Sequence, residues 1–516
     1  MADLTSGYIR DIWELDGVPA FREFWTYGLF LWKHLYRGFY SPWHIVPAPS
    51  VSNPKGTREL YRMGVAKLIS AQLAKYVWGE QCEVNVSQEG SEILAEYVAQ
   101  VLVANNFYTK LGELYEQCAA LGGGVIKVYA EVPKDESGND AGEPVICLSY
   151  HMADQFVPTA WDNADITEGI FLSREAKDGY YYTRVEWHKW DGNTYVIENR
   201  VFREDSSTIN RIAAQAATEP QTILGYNYPL DRIYPLLSPS TSISGLEQSL
   251  FSYIRPAGAN NIDDNSPLGV SIYANAMGQL RACDIAYDSF VREGELCRPR
   301  IIVPARAVRP FVNEQGRLVR YFDTTDSVYE AFSFDDTEDL KIIDNTCTLH
   351  TGERLEAING ALSLLAGAIG FDAGVLSFDK DAGMKTATEV VSERSKTYTT
   401  IHAHQDILKA AIEKTVHNII DLASVYGVSY NGQSIAALAV RGYEVNIHFD
   451  DSIISDKQKE MADALLEVGN GVMSKMTYLQ DIKGYTEEQA RAELQRIGEE
   501  GLISPVAVDK LDAFND

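Results

Sequence analysis

The sequence of 516 residues lacks the motifs typical of common enzyme and metal sites. It has no GxxxxGK(S/T) phosphate-binding loop, no GxSxG nucleophile turn and no HExxH zinc motif. His402 and His404 lie two apart on a predicted helix, so their side chains point in different directions. The segment DKDAG (379–383) lacks the third ligand and the distal glutamate of a calcium loop. We therefore expect no catalytic residue, no metal and no cofactor.

Cysteine is scarce and scattered. No CxxC pair occurs, which disfavours both structural zinc and a disulfide framework. The pattern predicts reduced thiols, as in a cytosol. The six cysteines are Cys82, Cys118, Cys147, Cys283, Cys297 and Cys347.

Long apolar runs are also missing. No stretch of eighteen uncharged apolar residues is present, so no membrane-spanning helix and no membrane partner are predicted. The first residues, MADLTSGYIRDIWELDG, are acidic and mixed, unlike a signal peptide. We expect the protein to stay in the compartment where it is made.

Positive charge is in short supply. Asp and Glu number 73 against 45 Lys and Arg, a net charge of −28. Tight binding to DNA normally needs a basic face, so this composition disfavours it. An acidic wall repels phosphates and suits a conduit along which DNA slides. A soluble acidic protein without any nucleic-acid role is the alternative that charge alone leaves open.

Proline is absent between Pro310 and Pro505, which allows long helices there. Apolar periodicity predicts amphipathic helices over 56–82, 90–121 and 269–297, a small-residue helix over 351–371 and the longest helix over 386–426. Alternation predicts a β-rich block over 144–204. The aromatic segment 1–45 is predicted to be either an amphipathic helix that anchors a neighbouring subunit or ordinary core.

Five collinear segments carry a resemblance to a known family. The order of predicted elements and these segments resemble the portal proteins of tailed bacteriophages, in particular the siphophage type of Listeria phage A118 and Bacillus phage SPP1. The segments are DQFVPTAWDNADITEGIF (154–171), SPLGVSIYANAMGQLRACDIAYDSF (266–290), FDDTEDLKIIDN (334–345), KTATEVVSERSKTYTTIHAHQDILKAAI (385–412) and FDDSIISDKQKEMADALLEV (449–468).

The resemblance implies an α+β portal fold with a definite order of parts. They are a mixed α/β wing over 1–265, a first stem helix over 266–297, a small α/β clip over 298–349, a second stem helix over 350–371, a tunnel loop over 372–387, a long helix behind that loop with a wing return strand over 388–450, and a helical crown over 451–516.

The resemblance also implies a function. Portal subunits form a ring, usually of twelve, at one capsid vertex, where double-stranded DNA passes without sequence specificity during packaging, retention and ejection. The implied partners are the major capsid protein and scaffold, the terminase and a head–tail connector. The implied location is the virion, after assembly in the cytoplasm of a bacterial host. Another connector or minor capsid protein, or a nucleic-acid-processing enzyme with an unrecognised site, is the alternative.

Candidate site residues follow from the same resemblance. The tunnel loop would present side chains to DNA, although an ordinary solvated loop fits its sequence as well. Its candidates are Ser377, Asp379, Lys380, Asp381, Met384 and Lys385.

Two further candidate sets carry charge. On the first stem helix, a stripe at i,i+3 and i,i+4 spacing can form intrahelical pairs. By resemblance its carboxylates face the channel and its arginines pair with neighbours, a solvated face being the alternative. The stripe is Arg281, Asp284, Asp288 and Arg292. Residues 298–320, in the clip, have a local basic excess that suits an acidic partner surface, a solvated hairpin being the alternative. Its residues are Arg298, Arg300, Arg306 and Arg309.

Overall fold

The structure is a computed structural model. It describes residues 23–49, 53–79, 82–133, 142–163, 165–205, 225–297, 301–302, 309–312, 316, 318–321, 343–344, 348–376, 395–449, 464–482, 485 and 487–502. The chain divides into two compact units. The first comprises Met1–Gln72, Glu113–Tyr129 and Leu148–Lys380, and the second comprises Leu73–Gly112, Ala130–Cys147 and Asp381–Asp516.

Helices and strands alternate along the described residues. The helices are α1 (Glu23–Tyr36), α2 (Ser41–His44), α3 (Val65–Val77), α4 (Ile93–Ala104), α5 (Phe107–Leu121), α6 (Met277–Leu296), α7 (Thr351–Ile369), α8 (Ser395–Val425), α9 (Ile435–Ala439), α10 (464–469), α11 (Lys475–Thr477) and α12 (Glu487–Leu502). None of the helices that the structure describes is long and apolar enough to cross a membrane.

The strands form small sheets, and the pairs with a defined register are antiparallel. They are β1 (Ile45–Pro47), β2 (Thr57–Glu59), β3 (Glu83–Ser87), β4 (Gly124–Glu131), β5 (Val145–Met152), β6 (Phe156–Asp162), β7 (Asp165–Lys177), β8 (Tyr180–Asp191), β9 (Thr194–Asp205), β10 (Tyr226–Tyr228), β11 (Ser240–Ser244), β12 (Phe251–Ile254), β13 (Ile301–Ile302), β14 (Arg309–Val312), β15 (Leu318–Tyr321), β16 (Ile343–Asp344), β17 (Ser429–Tyr430), β18 (Gln433–Ser434) and β19 (Glu444–His448).

The first unit contains the predicted β-rich block. Its largest sheet has the order β10-β9-β8-β7-β6, with β11 paired to β9, and a smaller sheet has the order β12-β4-β5. Three buried aromatic rings pack together in this unit: the Phe156 centroid lies 5.0 Å from that of Phe171 and 5.2 Å from that of Phe251. The strands predicted from the alternation of apolar residues over 144–204 are thereby confirmed.

A buried ionic network joins strands of the first unit. Lys127 Nζ donates to both carboxylate oxygens of Glu186 at 2.9 and 2.8 Å, and Arg184 donates to Glu186 at 2.6 Å. His188 Nε2 lies 2.9 Å from Glu186 Oε1. Although burial alone raises the pKa of Glu186, the His188 hydrogen bond and the two cations hold it well below its usual value. Burial lowers the pKa of His188, and because a carboxylate only accepts, Nε2 is the donor to Glu186.

The second unit is built around α8. Strands β3 and β19 pair in it, with Val84 opposite Ile447. Trp78 lies at its centre, edge to face with Phe107 at 6.2 Å and Phe449 at 6.1 Å between centroids. These contacts join segments distant in sequence, so the pairing of β19 with β3 does not follow from the sequence pattern of either strand.

Two of the predicted helices are shorter than the periodicity indicated. The helix predicted over 56–82 occupies only α3, because residues 57–59 pair with β1 as strand β2. The helix predicted over 90–121 is two helices, α4 and α5, separated where Asn106 adopts a left-handed backbone with φ of 51°. A local periodicity pattern does not register such a break.

The longest predicted helix is present as α8, with 31 residues and a length of about 46 Å. Residues 386–394 of the prediction lie outside the described residues. One face of α8 carries a buried apolar stripe, which includes Ile401, Leu408, Ile412, Ile419 and Leu422. Burial also lowers the pKa of His404, which interrupts this stripe, to about 4.

Candidate functional site: a helix hairpin and its anchors

Helix α6 is the described part of the predicted first stem helix. It begins at Met277, after a single 3-10 turn, whereas the sequence predicted a start at residue 269. The Ile272 amide donates instead to the Ala119 carbonyl at 3.0 Å, and the hydroxyl of buried Tyr273 donates to the Trp32 carbonyl at 2.9 Å. Residues 269–273 are therefore held by tertiary hydrogen bonds that compete with a helix.

A close backbone approach fixes the same segment. Gly269 lies against Gly122, and a Cβ on Gly269 would meet the Gly122 carbonyl oxygen at 2.5 Å. Gly122 itself has a φ of +84°, which side chains rarely allow. The chain thus reaches α6 through a contact that only glycine permits.

Two carboxylates of α6 anchor the segment that precedes α3. Asp288 accepts two hydrogen bonds from the Arg58 guanidinium, at 2.7 and 2.6 Å, and one from the Tyr61 amide at 3.0 Å. Asp284 accepts from the Met63 amide at 2.9 Å. The Arg58 hydrogen bonds hold the pKa of Asp288 below its usual value. Two residues of α6 thus fasten a strap, which we define as residues 37–64.

Asp284 has a second partner in the strap. His44, which is buried, places Nε2 3.2 Å from Asp284 Oδ2. The Tyr40 amide donates to His44 Nδ1 at 2.8 Å, so the proton of the ring lies on Nε2 and points at the carboxylate. The histidine therefore acts as a hydrogen-bond donor of fixed orientation.

These contacts correct the predicted environment of the stripe. Asp284 and Asp288 are each only 5% exposed, and they hydrogen-bond to the strap instead of facing solvent. Arg292 adds a smaller attraction to Asp288 along α6, as the spacing of the stripe predicted. The arginines differ from the carboxylates. Arg281 is exposed, with its guanidinium carbon 5.8 Å from the Trp43 ring centroid, and Arg292 is half-buried. The side chain that neutralises Asp288 is Arg58, which the sequence did not identify.

The ends of α6 and α7 are clamped together. Glu293, in the last turn of α6, accepts from the His350 amide at 3.0 Å and from Arg354 Nε at 2.7 Å. The Arg354 hydrogen bond is the largest of the causes that lower the pKa of Glu293, to about 2. Because these partners lie at the start of α7, the two helices form an antiparallel hairpin in which the last turn of α6 lies beside the first turn of α7.

The same end of the hairpin carries a disulfide. Cys297, the residue that follows α6, is disulfide-bonded, so the prediction of reduced thiols throughout is wrong there. Cys82, Cys118, Cys147 and Cys283 are free. Cys347 is the one other cysteine in the sequence and lies outside the described residues.

Most other predicted site residues lie outside the part of the chain that the structure describes. This applies to all six tunnel-loop candidates and to Arg298, Arg300 and Arg306. The backbone of Arg309 lies in β14, opposite Tyr321 of β15, which agrees with the strand character predicted for this segment. The roles assigned to these side chains stay predictions.

An anchored helix hairpin, a β-rich block and one long helix define a structural scaffold in the described residues. The family model of the phage portal protein, SPP1 Gp6-like, matches residues 32–501, which is most of the chain. The chain therefore belongs to the SPP1-like family of phage portal proteins. No curated protein matches it.

One solved structure shows a loose likeness. It is titled "Neck of empty GTA particle computed with C6 symmetry", with 12% sequence identity and a TM-score of 0.34, over 81% of this chain and 89% of that one. The family itself is a structural one, and membership in it makes this chain a subunit of a ring-shaped portal connector at the capsid vertex of the virion.

Proposed function

We propose that twelve copies of this chain form a ring through which double-stranded DNA passes during packaging, retention and ejection. The family match over residues 32–501 is the observation that carries the proposal. The net charge of −28 supports sliding, because an acidic wall does not hold phosphates. Within the family, the collinear segments favour the siphophage type of Listeria phage A118 and Bacillus phage SPP1.

In this proposal, α6 and α7 are the two stem helices of each subunit. The antiparallel hairpin and its clamp at Glu293 support that assignment, since the segment between them, 298–349, would then project from one end as the clip. Residues 1–265 would be the wing, and 372–387 the tunnel loop. Helix α8 would lie behind the loop, with 451–516 forming the crown.

The tunnel loop is the proposed DNA contact. Lys380 and Lys385 are its only cations, and they stand beside Asp379 and Asp381. Lysines would touch phosphates while the neighbouring carboxylates limit adhesion. This balance suits a surface along which a polyanion must move.

The clip is the proposed docking surface for partners. Its arginines give a basic patch to an otherwise acidic chain, which fits an acidic surface on the terminase or on a head–tail connector. The major capsid protein and scaffold would surround the ring at the vertex. We propose no catalytic role for the chain, and assays for ATP hydrolysis and nuclease activity would test that.

Electron microscopy of the purified chain tests the proposal most directly. Images in negative stain should show twelvefold rings with a central hole. A compact monomer at assembly concentrations would count against the ring, and a ring without a through-channel would indicate another type of connector. DNA retention in particles then tests the passage of DNA separately from assembly.

A further inference from the structure

Helix α7 has an outward face that no residue described by the structure covers. Leu364 is 70% exposed there, and a Cβ on Gly360 would meet no other atom within 4 Å. Glu353 and Glu356 stand on the same side of the helix by their spacing. Neither carboxylate forms an ion pair with a residue that the structure describes. We call these four residues the acidic face.

Helix α6 has an outward face of the opposite charge. Ile285 is 48% exposed, and Gly278 again has open space around it. Arg281 and Arg292 flank Ile285 at helical spacing. Arg292 is half-buried, and its charge contributes, after Arg58, to the lowered pKa of Asp288 one turn before it in α6. These four residues are the basic face.

The clamp at Glu293 sets the two faces level with each other. Because Glu293 bonds to His350 and Arg354, Arg292 lies at the height of the first turns of α7, where Glu356 stands. Ile285 is about 11 Å further along α6, and Leu364 about 12 Å beyond Glu356 along antiparallel α7. Arg292 therefore lies at the same height along the hairpin as Glu356, which has the opposite charge. Ile285 lies at about the same height as Leu364, and both are apolar.

We propose that the acidic face of one subunit packs against the basic face of the next around the ring. A ring requires two different, complementary surfaces on every subunit, because its contacts are head to tail. The glycines allow the helices to approach closely, Ile285 and Leu364 lose water, and Arg292 pairs with Glu356. The partner is a second copy of this chain, so the inference rests on the ring stated above and adds its interface.

Charge reversal on one face tests the inference. In Arg292→Glu, like charges meet across every contact, and the same holds for Glu353→Arg with Glu356→Arg. Each variant alone should raise the concentration for half-assembly at least ~10-fold, because like charges across an interface cost several kcal/mol. The control is Glu89→Arg, at an exposed turn outside both helices, which should assemble normally.

Mixing the two variants is the decisive measurement. In an alternating ring, each reversed face meets the opposite charge on its neighbour, so an equimolar mixture should recover rings that neither variant forms alone. Native mass spectrometry would show both masses in one ring. Assembly of each single variant at the wild-type concentration overturns the inference, and so does failure of the mixture to assemble. If the wild type itself forms no ring, the proposed function fails instead.

A steric variant separates folding from assembly. Gly360→Leu fits the open space of the isolated subunit and favours helix, so circular dichroism and the melting of the monomer should be preserved. The larger side chain should block the close approach and abolish rings. Normal rings in this variant would contradict the packing of α7 on a neighbour.

Discussion

Replacing Asp288 with asparagine removes the charge that holds the strap to α6. Arg58 donates one hydrogen bond from each of its two terminal nitrogens to this carboxylate, at 2.7 and 2.6 Å, and the side chain of Asp288 is buried. An asparagine that keeps Oδ1 still accepts from the Tyr61 amide and from Arg58 Nη1, but it presents its NH2 group to Arg58 Nη2 and carries no charge. The expected result is local opening of the strap without loss of the surrounding fold.

The magnitude follows from the type of bond that is lost. A buried hydrogen bond to a charged group contributes about 1.5–3 kcal/mol. We take about 2–3 kcal/mol here, because the bond from Arg58 Nη2 is lost and the bond from Arg58 Nη1 no longer ends on a charged group, while the bond from the Tyr61 amide is kept. Since 1.4 kcal/mol corresponds to a factor of ten, opening should become roughly 30- to 100-fold more frequent.

Hydrogen exchange measured by mass spectrometry reports this opening locally. Amides in residues 57–63 should exchange roughly 30- to 100-fold faster in Asp288→Asn than in the wild type. Asp264→Asn, the same substitution at an exposed position, is the matched control. If residues 57–63 exchange equally in both variants, the carboxylate does not hold the strap.

The effect also depends on pH in a direction fixed by the structure. Arg58 lowers the pKa of Asp288, so this stabilisation is complete above the usual aspartate pKa of about 3.9 and is lost as pH falls through the lowered value. After correction for intrinsic exchange rates, the difference in amide exchange of residues 57–63 between wild type and Asp288→Asn should shrink below about pH 4. A difference that grows with acidity would contradict this assignment.

Three further predictions concern other parts of the chain. Lys380→Glu with Lys385→Glu should impair packaging or DNA retention while rings still assemble, and full-length packaging by this variant would remove the proposed role of the loop. Cys297 should resist alkylation in the denatured protein until a reductant is added, which peptide mass spectrometry checks; labelling without reductant in oxidised preparations would refute the disulfide. Lys127→Met leaves Glu186 short of a buried partner and should cost about 3–5 kcal/mol, visible in calorimetry as a lower unfolding midpoint.

The candidate site was only partly predictable from sequence. The spacing of Asp284 and Asp288 correctly placed both carboxylates on one side of a helix. Their partners were not predictable, because Arg58 lies 230 residues from Asp288 and His44 lies 240 from Asp284. Glu293 went unnoticed for a similar reason, since nothing in its own helix indicates that His350 and Arg354 will lie beside it.

Local pattern determined which segments of this protein are helix or strand. The absence of proline between Pro310 and Pro505 allowed long helices, and alternation over 144–204 specified strands, because both depend on neighbours within a few residues. Only the tertiary structure decided where α6 begins, which charges pair and that Cys297 is bonded. Those outcomes depend on hydrogen bonds and backbone contacts between segments that the chain brings together only on folding.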